Sequence, residues 1–205
     1  MKRNFLTLAL GLCALGMAAC GTLGTSAPYT PIPYPTFTIA APVVPPASAS
    51  PCHIRGALPD AACTPGATNS DVRQDNIDQT ICRGGWTRTV RPPVDYTQPL
   101  KVAQIAAYGY ADANPADYEE DHLIPLELGG SPTNSANLWP QPRYGSANAT
   151  SKDRVENYLK AQVCNGALTL SYAQQQIASD WTQFLNSALM GNLNVSPLDP
   201  DDNGD

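Results

Sequence analysis

The sequence predicts an α+β domain, mostly helical, with a small extended element and disulfide staples. Three observations predict it. Apolar residues recur at helical spacing late in the chain, as Val155, Tyr158, Leu159 and Val163, then Ile177, Trp181, Leu185 and Leu189. The middle offers only short extended pieces, broken by proline and by the pair Gly129-Gly130. Four cysteines, Cys52, Cys63, Cys82 and Cys164, are spread across the same region.

The chain opens as a targeting segment. Lys2 and Arg3 precede an apolar run from Phe5 to Met17, shorter than the about 20 apolar residues that a membrane span needs. Residues 1–19 are read as a signal peptide. The segment closes on Met17-Ala18-Ala19-Cys20-Gly21, which resembles a bacterial lipoprotein processing site with Cys20 as the lipidated residue. Cleavage without a lipid is the alternative. Residues 20–59 are rich in Pro, Ser and Ala and read as an extended tether. Residues 60–195 form one domain, of ordinary single-domain size. Residues 196–205 are an acidic tail with no expected structure. No stretch after residue 19 is apolar enough to span a membrane, so the mature chain would meet a bilayer only through a lipid.

Within the domain, Asp71 to Cys82 predicts a short helix, ended by Gly84-Gly85. Trp86-Thr-Arg-Thr-Val90 has strand-like composition and stops at Pro92-Pro93. A helix is expected from about Pro99 to Tyr108, apolar on several sides. Two short extended pieces follow in Tyr118 to Gly130, then a brief strand or turn at Asn137 to Pro140. A helix spans roughly Thr150 to Cys164 and stops at Asn165-Gly166. The last helix starts at Ser171, where Ser171 and Gln174 match a capping box. Trp139 and Trp181 belong to the core, and His53 carries no expected role.

No CxxC pair is present, which argues against a zinc ribbon. Besides Cys13 in the signal segment and Cys20 at the processing site, four cysteines in an oxidising compartment suggest two disulfides among three connectivities, with Cys52–Cys63 and Cys82–Cys164 favoured. The net charge of −6 counts against a broad nonspecific nucleic-acid surface. Any such activity must come from local geometry.

The chemistry-bearing stretch is Asp121-His122-Leu-Ile-Pro125, Gly129-Gly130, Asn137-Leu138, then Asn148 ahead of a helix. In that order these residues resemble the HNH (His-Asn-His, ββα-metal) endonuclease superfamily, in its exported bacterial branch. The resemblance implies a small ββα core around one divalent metal, flanked by helices. Asp121 would ligate the metal, His122 would take a proton from the attacking water, and Asn137 would brace the histidine loop. Asn148 would be the second metal ligand, in place of the family's frequent final histidine. Mg²⁺ suits oxygen ligands and keeps several waters, with Mn²⁺ or Zn²⁺ as alternatives.

Adjacent strand residues face opposite sides, so Asp121 and His122 share a site only where the strand ends or bulges. Glu119 then lies on the Asp121 side as a supporting residue. Glu119, Glu120 and Asp121 surround His122 with negative charge, which favours the protonated imidazole; a bound cation would oppose that. Arg143, Lys152 and Arg154 flank the site as phosphate-binding candidates, or as ordinary solvated charges. The expected function is metal-dependent hydrolysis of DNA, or RNA, by an exported protein, anchored at the cell envelope or secreted. The rival expectation is a non-catalytic, envelope-tethered binding or structural module with the same shape.

Overall fold

The computed structural model of the chain describes residues 52–191. The signal segment, Cys20, most of the tether and the acidic tail lie outside the described residues. Among the described residues, five α-helices and two strands follow one another as α1 (Trp86–Val90), α2 (Val94–Ala107), β1 (Tyr118–His122), β2 (Leu138–Pro142), α3 (Ala149–Cys164), α4 (Leu170–Asp180) and α5 (Leu185–Gly191), with 3₁₀ turns between them. The mixed, mostly helical class expected from the sequence is the one observed.

β1 and β2 pair antiparallel, with Glu119 opposite Gln141, Asp121 opposite Trp139 and His122 opposite Leu138. Helix α3 follows β2 and lies against β1, while α2 covers both strands. Every residue of β1 is therefore buried, although Glu119, Glu120, Asp121 and His122 are all polar. That is an unusual strand. Polar side chains are buried when they are paired or when a site needs them.

The main core gathers Val155, Leu159 and Val163 of α3 with Ala173 and Ile177 of α4, Trp181 and Ala188, closed by Ile81, Ile124 and Leu128. α2 buries Tyr96, Leu100, Lys101, Gln104 and Ile105, a helical spacing that defines its inner face. Two disulfides, Cys52–Cys63 and Cys82–Cys164, join the segments as favoured. They point to an oxidising, non-cytoplasmic environment. No described helix is long and apolar enough to cross a membrane.

Several local expectations need correction. Trp86–Val90 is a helix, not a strand. Its β-branched composition favours a strand only where a partner strand lies alongside, and none does here. Gly85, at φ 76°, turns the chain into the helix, and Pro93 begins α2 immediately afterwards. The expected helix at 71–82 is reduced to a 3₁₀ segment, Gln74–Gln79. The second extended piece before Gly129 is also 3₁₀, at Leu126–Leu128. α4 is capped by Thr169, whose hydroxyl accepts from the Tyr172 amide at 3.3 Å. Gln174 instead donates to the Leu128 carbonyl at 2.8 Å. The last apolar stripe does not run unbroken, because the chain leaves helical geometry at Asp180 (φ −163°, ψ 94°). Leu189 consequently faces solvent, 51% exposed, and Ala188 takes the inner position.

Residues 52–59 belong to the fold. Cys52 is buried and bonded to Cys63, Leu58 packs against the core, and the Trp181 indole donates to the Ala57 carbonyl at 3.1 Å.

Candidate functional site

β1 ends at His122, which meets the geometric condition for neighbouring residues to share a site. Strand alternation sets Glu119 and Asp121 on one face and Glu120 and His122 on the other. All four reach the same small cavity, completed by Arg91, Glu127, Asp153 and Glu156. Its volume is about 30 Å³, room for an ion or a few waters and not for a nucleotide. A polymer would have to approach from outside and present a single group.

His122 is held by its ring. Nε2 lies 3.0 Å from the Pro132 carbonyl oxygen. A carbonyl only accepts, so Nε2 carries the proton and Nδ1 keeps its lone pair. Burial pushes the His122 pKa down to about 4, against the opposing pull of the Pro132 hydrogen bond and the Asp121 charge. The imidazole is neutral at physiological pH. The expectation from sequence ran the other way, because it counted the acidic neighbours and not the desolvation.

Asn137 is fully buried and braces the segment after the histidine. Its Oδ1 accepts from the Ile124 amide at 3.0 Å and from the Ala67 amide at 3.2 Å. Its Nδ2 donates to the Ile124 carbonyl at 2.9 Å and the Ser131 carbonyl at 3.0 Å. The 124–131 segment is thus tied at both ends to Asn137.

Asp121 does not stand alone. Its Oδ2 accepts from the Trp139 indole at 3.1 Å and from the Lys152 ammonium at 2.9 Å. Glu119 pairs with Arg143 at 3.0 Å. Burial first, then the charge of Asp121, pushes Glu119 up to about 8. Burial likewise raises Asp153 to about 6, and holds Glu120 and Glu156 well above the usual carboxylate range. The cavity is short of positive charge.

The other sequence candidates fall in three places. Asn148 caps α3, its Oδ1 accepting from the Ser151 amide at 2.9 Å and its Nδ2 donating to the Gly145 carbonyl at 3.0 Å. It does not line the cavity. Lys152 is no surface phosphate binder, being fully buried beneath the site. Arg143 is exposed at the rim, and Arg154 is exposed on α3 outside the cavity lining.

Asp153, Glu156 and Arg91 are cavity residues that the sequence does not announce, and Glu120 enters it only as a negative charge near His122. Asp153 and Glu156 sit three apart on α3, a spacing that puts both on one helical face. Their signal was hidden, because nothing local says that this face meets β1.

Among the described residues, no group of three or more His, Cys, Asp or Glu side chains is arranged to hold a metal ion. The donor chemistry nevertheless suits a hard cation, which prefers carboxylate oxygens. Both carboxyl oxygens of Glu120 are buried without a hydrogen-bond partner, a cost that protonation relieves and that a bound cation would also relieve. No family model, curated protein or solved structure matches the chain.

Proposed function

We propose that this protein is a divalent-cation-dependent nuclease of the HNH type, hydrolysing phosphodiester bonds of DNA, with RNA as a second substrate class. It would act outside the cytoplasm, tethered through a lipid on Cys20 or secreted. The observation that carries the reading is the pinned, neutral His122 beside an acidic cavity at a strand end. Two antiparallel strands followed by a helix, around Asp121 and His122, agree with a ββα core.

Asp121 and Asp153 are the residues that would hold the cation, with Asp153 taking the place first expected for Asn148. Glu119 supports them from the same face as Asp121. When bound, the cation would supply positive charge for the oxygens of the phosphate as it is attacked. The protein's own steps are simpler. His122 takes a proton from water at Nδ1, while its Nε2–H keeps donating to the Pro132 carbonyl and fixes the ring. The hydroxide oxygen forms a bond to phosphorus, and the bond to the leaving oxygen breaks, its electron pair staying on that oxygen, which takes a proton from solvent water. Asn137 keeps the 122–131 loop in shape.

A second reading keeps the fold and drops the turnover. Asp121 is already engaged by Lys152 and Trp139, which suits a structural or binding module on an envelope tether. The deciding experiment uses purified protein on plasmid DNA and on RNA with Mg²⁺ or Mn²⁺, against chelator and against His122→Ala. Cation-dependent nicking that falls by roughly 100-fold or more in the variant supports the nuclease. Equal nicking by both proteins, or none by either, leaves the binding module.

A further inference from the structure

Lys152 is the most deeply buried cation among the described residues, with no exposed surface. An ammonium has three protons to donate, and here each has an acceptor. Nζ donates to Asp121 Oδ2 at 2.9 Å, to the His122 backbone carbonyl at 2.8 Å and to the Glu156 carboxylate one helical turn along α3. Two of those three acceptors belong to the adjacent residues that would carry the chemistry.

We infer that Lys152 is a positioning residue that locks α3 onto the end of β1 and sets the relative placement of Asp121 and His122. This rests on the nuclease reading of the site. The physical argument starts from cost. Removing an ammonium from water carries a penalty of several kcal/mol, and a buried ion pair seldom stabilises a fold more than apolar packing of the same volume. A methionine at position 152 would hold helix against strand without that penalty. What it could not do is bind the carboxylate of one residue and the carbonyl of the next at the same time.

The alternation of β1 makes such a clamp necessary. Asp121 and His122 project to opposite faces, so their common access to the cavity depends on how the strand end is held. Lys152 grips one residue by its side chain and the other by its backbone. Trp139 steadies the same Asp121 oxygen from β2. The histidine ring is then aimed by Pro132 from the far side. Lys152 has no exposed surface and acts through Asp121 and His122.

The test compares wild type with Lys152→Met and with the double variant Lys152→Met, Glu156→Gln. The double variant also replaces Glu156 with its neutral isostere, and so leaves no acidic group at 156 without its ammonium where the single variant fails to fold. The chain has two histidines, His53 and His122, so ring ¹⁵N–¹H spectra resolve His122 directly. Wild type should give one His122 state with the proton on Nε2. The double variant should melt as a cooperative fold, yet show a displaced or multiple His122 ring signal with His53 unchanged. Its kcat on plasmid DNA should fall by roughly 100-fold with little change in KM, as expected for a small misplacement of reacting groups. A His122 signal identical in the two proteins overturns the proposal, whether or not either protein cuts DNA. A displaced signal together with an inactive wild type keeps the positioning role and removes the nuclease reading instead.

Discussion

The side-chain amide of Asn137 binds both backbone polar groups of Ile124, accepting from its N–H at 3.0 Å and donating to its C=O at 2.9 Å. The side chain thereby does what a third strand would do for the residue just past the site. Ile124 is 6% exposed, so water cannot replace the contact.

Asn137→Ala should therefore be expensive. It leaves the buried amide and carbonyl of Ile124 unpaired, and each such group costs about 1–3 kcal/mol. We expect a loss of about 3 kcal/mol or more in urea unfolding. Asn137→Asp should keep the acceptor contacts and lose both donations, and so fall between. A melting curve for Asn137→Ala close to that of wild type would remove the bracing role.

Gly130 faces the same carbonyl. A Cβ placed there would lie 1.7 Å from the Ile124 oxygen and 2.9 Å from Asn137 Nδ2. Gly130→Ala must open the loop, and a loss above about 4 kcal/mol, or no folded protein, is expected. Gly145→Ala is the control. Its φ of +88° is strained for alanine, but its Cβ would meet nothing within 4 Å, so roughly 1–2 kcal/mol is expected. Near-ultraviolet circular dichroism on the two variants decides it, and equal effects would contradict the contact.

The acidic cavity gives stability a pH dependence with a definite sign. Glu119 has its pKa raised from 4.5 to about 8 by burial, so the folded state binds more protons than the unfolded state across that window. Its contribution is fully present below about 4.5 and is lost as pH rises through about 8. Asp153, raised to about 6, acts in the same direction. His122, lowered from 6.5 to about 4, contributes stability that is lost as pH falls through that range. Above 6.5 the imidazole is neutral in both states, and the carboxylates decide. Without divalent cation, the melting temperature should fall between pH 6.5 and 8.

A cation that binds only the folded protein should restore that loss by mass action. We expect millimolar Mg²⁺ or Mn²⁺ to raise the melting temperature more at pH 8 than at pH 6.5. Replacing Asp153 with Asn should shrink the gain. No cation effect at the higher pH would dismiss the cation-binding role of Asp121 and Asp153, independently of any activity measurement.

How much of this could be read in the sequence follows the range of each interaction. The helix of Val155, Leu159 and Val163 was legible, because helical spacing is local. The disulfide pairing was among few alternatives, and the Asp121, His122 and Asn137 set stood out by order. Trp86–Val90 has strand-like composition yet is a helix, because such composition yields a strand only where a neighbouring strand exists. Asn148 suggests a ligand by its order in the chain, but its amide closes a helix end, a use that asparagine serves just as well.

The sequence by itself determined the mixed, mostly helical class, the four cysteines available for staples and the short polar stretch that carries the candidate chemistry. Tertiary structure alone decided that this polar stretch is buried on both faces, that Lys152 lies inside and that Asp153 faces the cavity. Local propensity acts over a helical turn or a strand, whereas burial and charge pairing depend on which distant segments come to lie alongside. In Lys152 a charged residue on a helix becomes the clamp of a strand end, and only the packing of α3 on β1 makes it so.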